Sequence, residues 1–319
     1  MGTPIPSKIL ITGARGFLGH HVVKRFDGYD IELYTPTSKE MNLADGLAIR
    51  QAIWRFQPDT IIHLAAQCGG IGINSRKPGE FLYNNMMMTA NLIDAVRAIN
   101  EAGVLPKIQK FVGIGTVCSY PKHTPVPFKE EDLYNGYPED TNAPYGLAKR
   151  MQLEMLKAYR TQYGLNGVFL IPVNMIGEHD NFNDDSSHVV PSMLKKFHRA
   201  KESGERTVTL WGDGSASREF LYAGDCADAI FRACFIYDSS EPINIGTGKE
   251  ITIRDLAEKV KKVVGFTGEI VWDTTKPNGQ PRRCLDVSRA KKHLAFEAKS
   301  DFDTVLRNTY EWAKENNVL

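Results

Sequence analysis

Apolar residues along this chain gather in short runs, and most runs are followed by a stretch in which they recur at helical spacing. Lys8-Ile9-Leu10-Ile11-Thr12 opens the pattern as a strand. Further strands are predicted at 31–35, 60–66, 110–115, 167–171 and 242–246, with helices at about 80–100, 145–163 and 223–237. Strands alternating with helices predict an α/β fold, a doubly wound parallel sheet covered on both faces. Beyond about residue 175 the pattern loosens into a polar loop at 178–185, a helix from Val190 to Ala200 and a terminal helix over 302–316. Thr252-Ile253-Arg254-Asp255 has the form of a capping box that opens another helix. The expected organisation is a dinucleotide-binding domain of residues 1–174 plus about 223–247. A smaller α/β lobe, of residues about 175–222 and 248–319, would take the substrate.

The first strand runs directly into Gly13-Ala14-Arg15-Gly16-Phe17-Leu18-Gly19 and then a helical stretch. Strand, Gly-x-x-Gly-x-x-Gly and helix together form the dinucleotide-binding turn of a Rossmann fold. The glycines admit close backbone approach, and the helix N-terminus receives the pyrophosphate. NAD-specific turns place an acid at the end of the second strand to bind the ribose hydroxyl. Here that region reads Tyr34-Thr35-Pro36-Thr37-Ser38-Lys39, with no acid before Glu40. Arg15 inside the turn could meet a 2′-phosphate, and Ser38 or Lys39 could add contacts, so NADP(H) is favoured.

Composition narrows the partners. Lys and Arg total 39 against 38 Asp and Glu, a net charge of +1 without a dominant basic cluster, which argues against nucleic-acid binding. No apolar run approaches ~18 residues and the N-terminal residues carry no signal-peptide pattern, so the expectation is a soluble cytoplasmic protein away from membranes. The five cysteines, at 68, 118, 226, 234 and 284, show no C-x-x-C spacing and read as reduced thiols, without a metal site.

Candidate chemistry lies in two stretches. Tyr145 and Lys149 are four apart and share a helix face. A free phenol titrates near ~10, and a neighbouring ammonium is expected to lower that value, which suits proton transfer to a carbonyl. Gly115-Thr116-Val117-Cys118-Ser119-Tyr120-Pro121 supplies a hydroxyl and, two residues on, a thiol at the carboxyl end of a strand, where ligands bind in this architecture. On residue type alone Cys118 would be a small buried hydrophobe. A thiol is only slightly ionised at neutral pH, so any reactivity at 118 would be assisted by a nearby cation. His63, ending a buried strand, reads as a satisfied core histidine, and His179 as structural.

With these motifs the chain resembles the extended short-chain dehydrogenase/reductase superfamily, and within it is most similar to the GDP-L-fucose synthase family. The resemblance runs nearly end to end through His63-Leu64-Ala65-Ala66, Gly69-Gly70-Ile71-Gly72, Tyr83-Asn84-Asn85-Met86-Met87, His179-Asp180-Asn181-Phe182 and Ser187-His188-Val189-Val190-Pro191. Trp211-Gly212-Asp213-Gly214, Arg218-Glu219-Phe220-Leu221 and Lys276-Pro277-Asn278-Gly279 continue it. Related dehydratases carry Asp-Glu where this chain has Val117-Cys118, which disfavours dehydration.

The resemblance implies epimerisation of a GDP-bound 4-keto-6-deoxy sugar with Cys118 as base and His188 as acid, followed by NADPH-dependent reduction at C4. In the second stage Tyr145 would protonate the oxygen, Lys149 would hold the nicotinamide ribose and Thr116 would hydrogen-bond the carbonyl. Thr stands where the family usually has Ser. Ala65, Ala66 and Asn174 would add cofactor contacts, Asn174 touching substrate as well. Lys195, Lys196, Arg218 and Arg282 or Arg283 are candidates for the diphosphate, although a solvated helix face explains Lys195 and Lys196 nearly as well. Trp211 would pack near the nucleotide, with core packing as the competing account. A homodimer through a helix pair including the Tyr145 helix is a further expectation. The rivals are a reductase of another GDP-4-keto sugar such as a heptose, a single-centre epimerase, a 4-epimerase retaining NAD, and a non-catalytic dinucleotide sensor. The last has no need of Thr116, Tyr145 and Lys149 together.

Overall fold

The structure, a computed structural model, describes residues 6–276 and 278–319. Pro277, inside the Lys-Pro-Asn-Gly stretch singled out above, lies outside the described residues, as do residues 1–5. The first half of the chain alternates β1 (Lys8–Thr12), α1 (Phe17–Arg25), β2 (Glu32–Tyr34), α2 (Gly46–Phe56) and β3 (Thr60–His63). It continues through α3 (Ile71–Arg76), α4 (Pro78–Ala102), β4 (Lys110–Ile114), α5 (Ala143–Tyr163) and β5 (Gly167–Pro172). Then come β6 (Asn174–Ile176), α6 (Val189–Glu202), β7 (Thr207–Trp211), β8 (Ser217–Tyr222), α7 (Ala223–Ile236) and β9 (Ile243–Ile245). The chain closes with β10 (Glu250–Thr252), α8 (Ile253–Val264), β11 (Glu269–Asp273), α9 (Ser288–Leu294) and α10 (Phe302–Glu315).

Six strands form one parallel sheet in the order β2-β1-β3-β4-β5-β9. The order reverses between β1 and β3, and in such sheets a crevice opens there beyond the carboxyl ends of the strands. The third strand ends at His63, short of the expected Ala66, and Leu64 N–H gives the last bond of its ladder, to the Thr12 carbonyl at 3.1 Å. Ala65 N–H then binds the Thr12 hydroxyl at 3.2 Å. The residues after His63 therefore line the crevice instead of extending the ladder.

Two smaller sheets, absent from the sequence reading, carry the rest. β10-β8-β6 is mixed, and β11 pairs with β7 in parallel. One apolar cluster fills both faces of the large sheet and includes Leu285, Ala290, Leu294 and Phe296 from the C-terminal segment. A second joins α6, α8 and α10 through Leu194, Phe197, Leu256, Val260 and Leu306. Thr252 caps α8 as expected: its Oγ1 accepts from Asp255 N–H at 3.0 Å and donates to the Asp255 carboxylate at 2.7 Å. Among the described residues no helix is long and apolar enough to cross a membrane.

Two buried charges bind these parts together. Lys110, on β4, is fully buried and its ammonium donates to the carbonyls of Ala233, Cys234 and Tyr237 at 2.8–3.1 Å, closing the C-terminus of α7. Glu219, on β8, accepts from the backbone N–H groups of Thr247, Gly248 and Leu285. Burial raises its carboxyl, and those hydrogen bonds work in the opposite direction. Lys110→Met keeps the bulk but removes the donor that three buried carbonyls share, leaving Ala233 only the Tyr237 N–H at 3.4 Å. The expected result is a loss of about 2–3 kcal/mol, seen as a lower denaturant midpoint.

Candidate active site

The glycine turn sits where the sheet order reverses. Gly13 has φ +72°, and a Cβ there would lie 2.7 Å from the Ala65 backbone nitrogen. The turn and the post-β3 segment thus form a cradle that only glycine leaves open. Gly16 is the N-cap of α1 and no side chain caps the helix, so its first-turn N–H groups are available to an anion. Leu18 and Gly19 are buried beneath this turn, Phe17 is half-buried, and Arg15 is exposed at its tip. Ser38 and Lys39 are exposed on the loop after β2, which Thr37 fastens by donating from its N–H and hydroxyl to Glu40 at 2.7 and 2.8 Å. Ala65 and Ala66 are half-buried across the cradle.

His63 behaves as the sequence predicts for a core residue. It is fully buried between the hydroxyls of Thr12 at 2.8 Å and Thr89 at 3.3 Å. Burial, assisted by the charge on Lys149, lowers it to about 3, so it stays neutral. His179 stacks on His20 with ring centroids 4.1 Å apart and lies 4.9 Å from the Trp312 ring.

Beyond β4 the chain makes a single 3-10 turn over Val117–Ser119, capped by the Thr116 hydroxyl, which accepts from Cys118 N–H at 3.2 Å. The N-terminal part of α5 lies directly on this turn. A Cβ at Gly146 would stand 2.5 Å from the Cys118 carbonyl oxygen, so glycine next to Tyr145 is what permits the approach. Ser119 Oγ donates to the Gly146 carbonyl at 3.1 Å, and Arg150 Nε to the Ser119 carbonyl at 2.7 Å. The two sequence motifs are thereby fastened into one unit.

Lys149 is buried, with its ammonium 6.0 Å from the Tyr145 ring centroid and 3.4 Å from Gln152 Oε1. The sequence pattern predicts that Lys149 lowers the phenol. Instead, burial pushes Tyr145 well above its ordinary range, and the Cys68 and Cys118 thiols add to the rise. The same burial brings Lys149 down to about 8. Desolvation is the largest cause on both groups.

His188 is the N-cap of α6, with a half-exposed side chain whose Nδ1 lies 3.9 Å from Asp180 Oδ1. The Asp180 side chain is only 2% exposed. Its other oxygen has no hydrogen-bond partner among the described residues. Gly70 N–H holds the loop after β3 to the Ser186 carbonyl at 3.0 Å, just ahead of His188. Cys68, on that loop, is reached by solvent yet sits in electrostatic range of Lys149, Asp180 and Cys118, and burial in the cleft raises its thiol. Sequence reasoning treated Cys68 only as one of five reduced thiols. Asp180 stood inside a quoted motif without a role.

The candidate diphosphate residues disperse. Arg218 is half-buried, its Nη1 bonded to the Ser217 carbonyl at 2.7 Å, and burial together with the neighbouring Arg283 brings it to about 10. Arg283 is buried, donating from Nε and Nη2 to Gln280 Oε1 at 3.1 and 3.0 Å, with Nη1 3.6 Å from Cys118 Sγ. Arg282 turns outward to Glu250. Lys195 is taken up by the Phe182 carbonyl at 2.8 Å and Asp184 at 3.1 Å, and Lys196 is exposed on α6. Trp211 is 62% exposed, against core packing, with the Lys276 ammonium 5.8 Å from its ring. Asn174 donates its side-chain amide to the Glu219 carbonyl at 3.0 Å.

Lys149→Met removes a buried charge and is expected to raise the denaturant midpoint at pH 7. The native lysine, held at about 8, sheds its proton before the unfolded one near 10.5, so the wild type itself gains stability across that window. The advantage of the variant should therefore fade between pH 8 and 10.5, which unfolding at pH 7 and pH 10 will measure.

The profile of the NAD dependent epimerase/dehydratase family matches residues 9–246. The GDP-L-fucose synthase of Escherichia coli is 35% identical over 319 residues, covering 97% of this chain and 97% of that one. Among solved structures, a GDP-6-OMe-4-keto-L-xylo-heptose reductase from C. jejuni superposes with a TM-score of 0.89 at 28% identity, over 99% of this chain and 100% of that chain. A GDP-L-fucose synthetase from Naegleria fowleri bound to NADP gives 0.87 at 27% identity, over 99% and 97%. The chain therefore belongs to the NAD dependent epimerase/dehydratase family and is an enzyme of its sugar-nucleotide epimerase/reductase type, related to the GDP-L-fucose synthases.

Proposed function

We propose that this enzyme uses NADPH to convert GDP-4-keto-6-deoxy-D-mannose to GDP-L-fucose, inverting C3 and C5 before reducing C4. The observation that carries the reading is a thiol, Cys118, bonded to a guanidinium and joined through the Gly146 contact to the Tyr145/Lys149 helix. A reductase alone needs no such base. Relatives named GDP-L-fucose synthase across nearly the whole chain support the substrate.

A nicotinamide dinucleotide fits the cradle between Gly13 and Ala65. The open N-terminus of α1 suits its pyrophosphate, with Arg15, Ser38 and Lys39 for a 2′-phosphate. When bound, it supplies the hydride that reduces the ketone carbon. Lys149 would hold its ribose, with Ala65, Ala66 and Asn174 lining the same crevice.

The chain's own residues account for the protons. The Cys118 thiolate takes a proton from the carbon beside the ketone and becomes a thiol, while the released electron pair delocalises onto the carbonyl oxygen as an enolate. His188, with Asp180 behind it, returns a proton to the opposite face. In the reduction Tyr145 gives its proton to the C4 oxygen, and a phenol kept protonated by burial is in the form this step requires. Thr116, whose oxygen already accepts from Cys118 N–H, keeps its hydroxyl hydrogen for the same carbonyl. Arg218 is the best candidate for the diphosphate, and Lys196 and Trp211 for the outer nucleotide.

The fit to a GDP-keto-heptose reductase favours a second reading, reduction of a related sugar without double epimerisation. Incubation with GDP-4-keto-6-deoxy-mannose and NADPH in heavy water separates the two. Deuterium at both C3 and C5 of a GDP-L-fucose product is expected. Cys118→Ser should abolish that exchange, and Tyr145→Phe should slow NADPH consumption by roughly 10²–10⁴-fold. Reduction without deuterium would make the enzyme a simple 4-ketoreductase, and no consumption would remove this sugar from both readings.

A further inference from the structure

Arg283 stands out because it is buried and its guanidinium bonds no carboxylate among the described residues, although Glu250 accepts its main-chain N–H. Arg282 takes Glu250, whereas the Arg283 guanidinium meets a neutral amide on one edge and a thiol on the other. A buried guanidinium without an anion is costly unless an anion arrives. Gln280, itself 7% exposed, receives Nε and Nη2 on one oxygen and anchors its own amide to the Lys122 carbonyl at 2.9 Å. The remaining donor, Nη1, is left aimed at Cys118 Sγ at 3.6 Å, within hydrogen-bond range for sulfur.

The backbone around this pair is fixed as well. Ser217 N–H binds the Pro281 carbonyl at 2.9 Å and Glu219 N–H the Arg283 carbonyl at 3.1 Å, so the strap runs beside β8. On its other side Phe128 N–H binds the Cys284 carbonyl at 2.8 Å. Lys122 follows the Cys118 turn in sequence, so the thiol and the anchor of its cation belong to one connected segment. Arg218 on β8, Tyr145 on α5 and Cys68 after β3 also lie in electrostatic range of the Cys118 thiol. Tyr145 and Cys68 are kept neutral by burial and supply no positive charge; Arg218 is a second cation in range, but its Nη1 is bonded to the Ser217 carbonyl, whereas Arg283 donates to the sulfur itself.

We infer that Arg283, locked by Gln280, is the positioning residue that holds Cys118 as a thiolate and so makes it a base, and that it is not primarily a diphosphate ligand. This deepens the proposed epimerisation and rests on Cys118 being its base. An opposite charge at this range typically favours the ionised form by tenfold or more. Gln280 serves as the neutral brace: a carboxylate in its place would neutralise the guanidinium and cancel the effect.

The test reads the thiol directly in the free protein. Iodoacetamide alkylation is followed across pH 6–10 by peptide mass spectrometry, with Cys68 as an internal control in the same cleft. Arg283→Gln should slow Cys118 alkylation at pH 7 about tenfold and move its rate profile to higher pH, with Cys68 not slowed. Arg283→Lys should recover part of the rate, and Gln280→Leu should fall between wild type and Arg283→Gln. An unchanged Cys118 profile in Arg283→Gln, with a raised KM for the GDP-sugar, would overturn the inference and return Arg283 to the diphosphate. Equal losses at both cysteines in Arg283→Gln and Arg283→Lys would overturn it too, in favour of a structural role. Deuterium exchange is measured separately: if the wild type exchanges none while Cys118 alkylation still depends on Arg283, the epimerase reading fails and this assignment stands.

Discussion

The Glu219 carboxylate governs how the two parts of the site meet. It lies on the central strand of the mixed sheet and gathers the backbone N–H groups of Thr247, Gly248 and Leu285, while its own main chain bonds Asn174 and Arg283. One side chain therefore sets the distance between β6, β8, the loop after β9 and the strap that leads to the thiol. The adjacent Gly246 has no room for a Cβ because the carboxylate occupies that space. A buried acid is expensive, and this one is tolerated because main-chain donors replace the lost water.

Desolvation, more than any pairwise attraction, sets the chemistry of the crevice. It holds Tyr145 protonated and His63 neutral and brings Lys149 to about 8. Groups that would be similar in water are thus separated into proton holders, spectators and a readily discharged ammonium. The exposed His188 faces Asp180 and the Cys118 thiol faces Arg283, so each has a charged neighbour at hand. In the proposed reaction the reduction therefore relies on burial, and the epimerisation on charged neighbours, within one cleft.

The large sheet was legible because its strands are continuous apolar runs followed at once by helices, and residues 8–19 carry the turn geometry in their glycines. Thr116, Cys118, Tyr145 and Lys149 were legible because each pair is local in sequence. The small sheets were not: β6 and β10 are three residues long, and β7 and β11 pair across some sixty intervening residues without a repeating signal. Arg282 and Arg283 are chemically identical neighbours, and only the strap's alternation turns one to Glu250 and the other to the thiol. The expected effect of Lys149 on Tyr145 failed for a related reason, because sequence shows who is near but not how much water remains.

The thiol and its guanidinium are 165 residues apart in the chain. A ribosome delivers the N-terminal parts first. The glycine turn and the Tyr145 helix can therefore form while Cys118 still lacks its guanidinium neighbour. It acquires its electrostatic partner only when the last strap docks along β8. On the inference drawn above, the order of synthesis keeps the base latent until the C-terminal strap is in place.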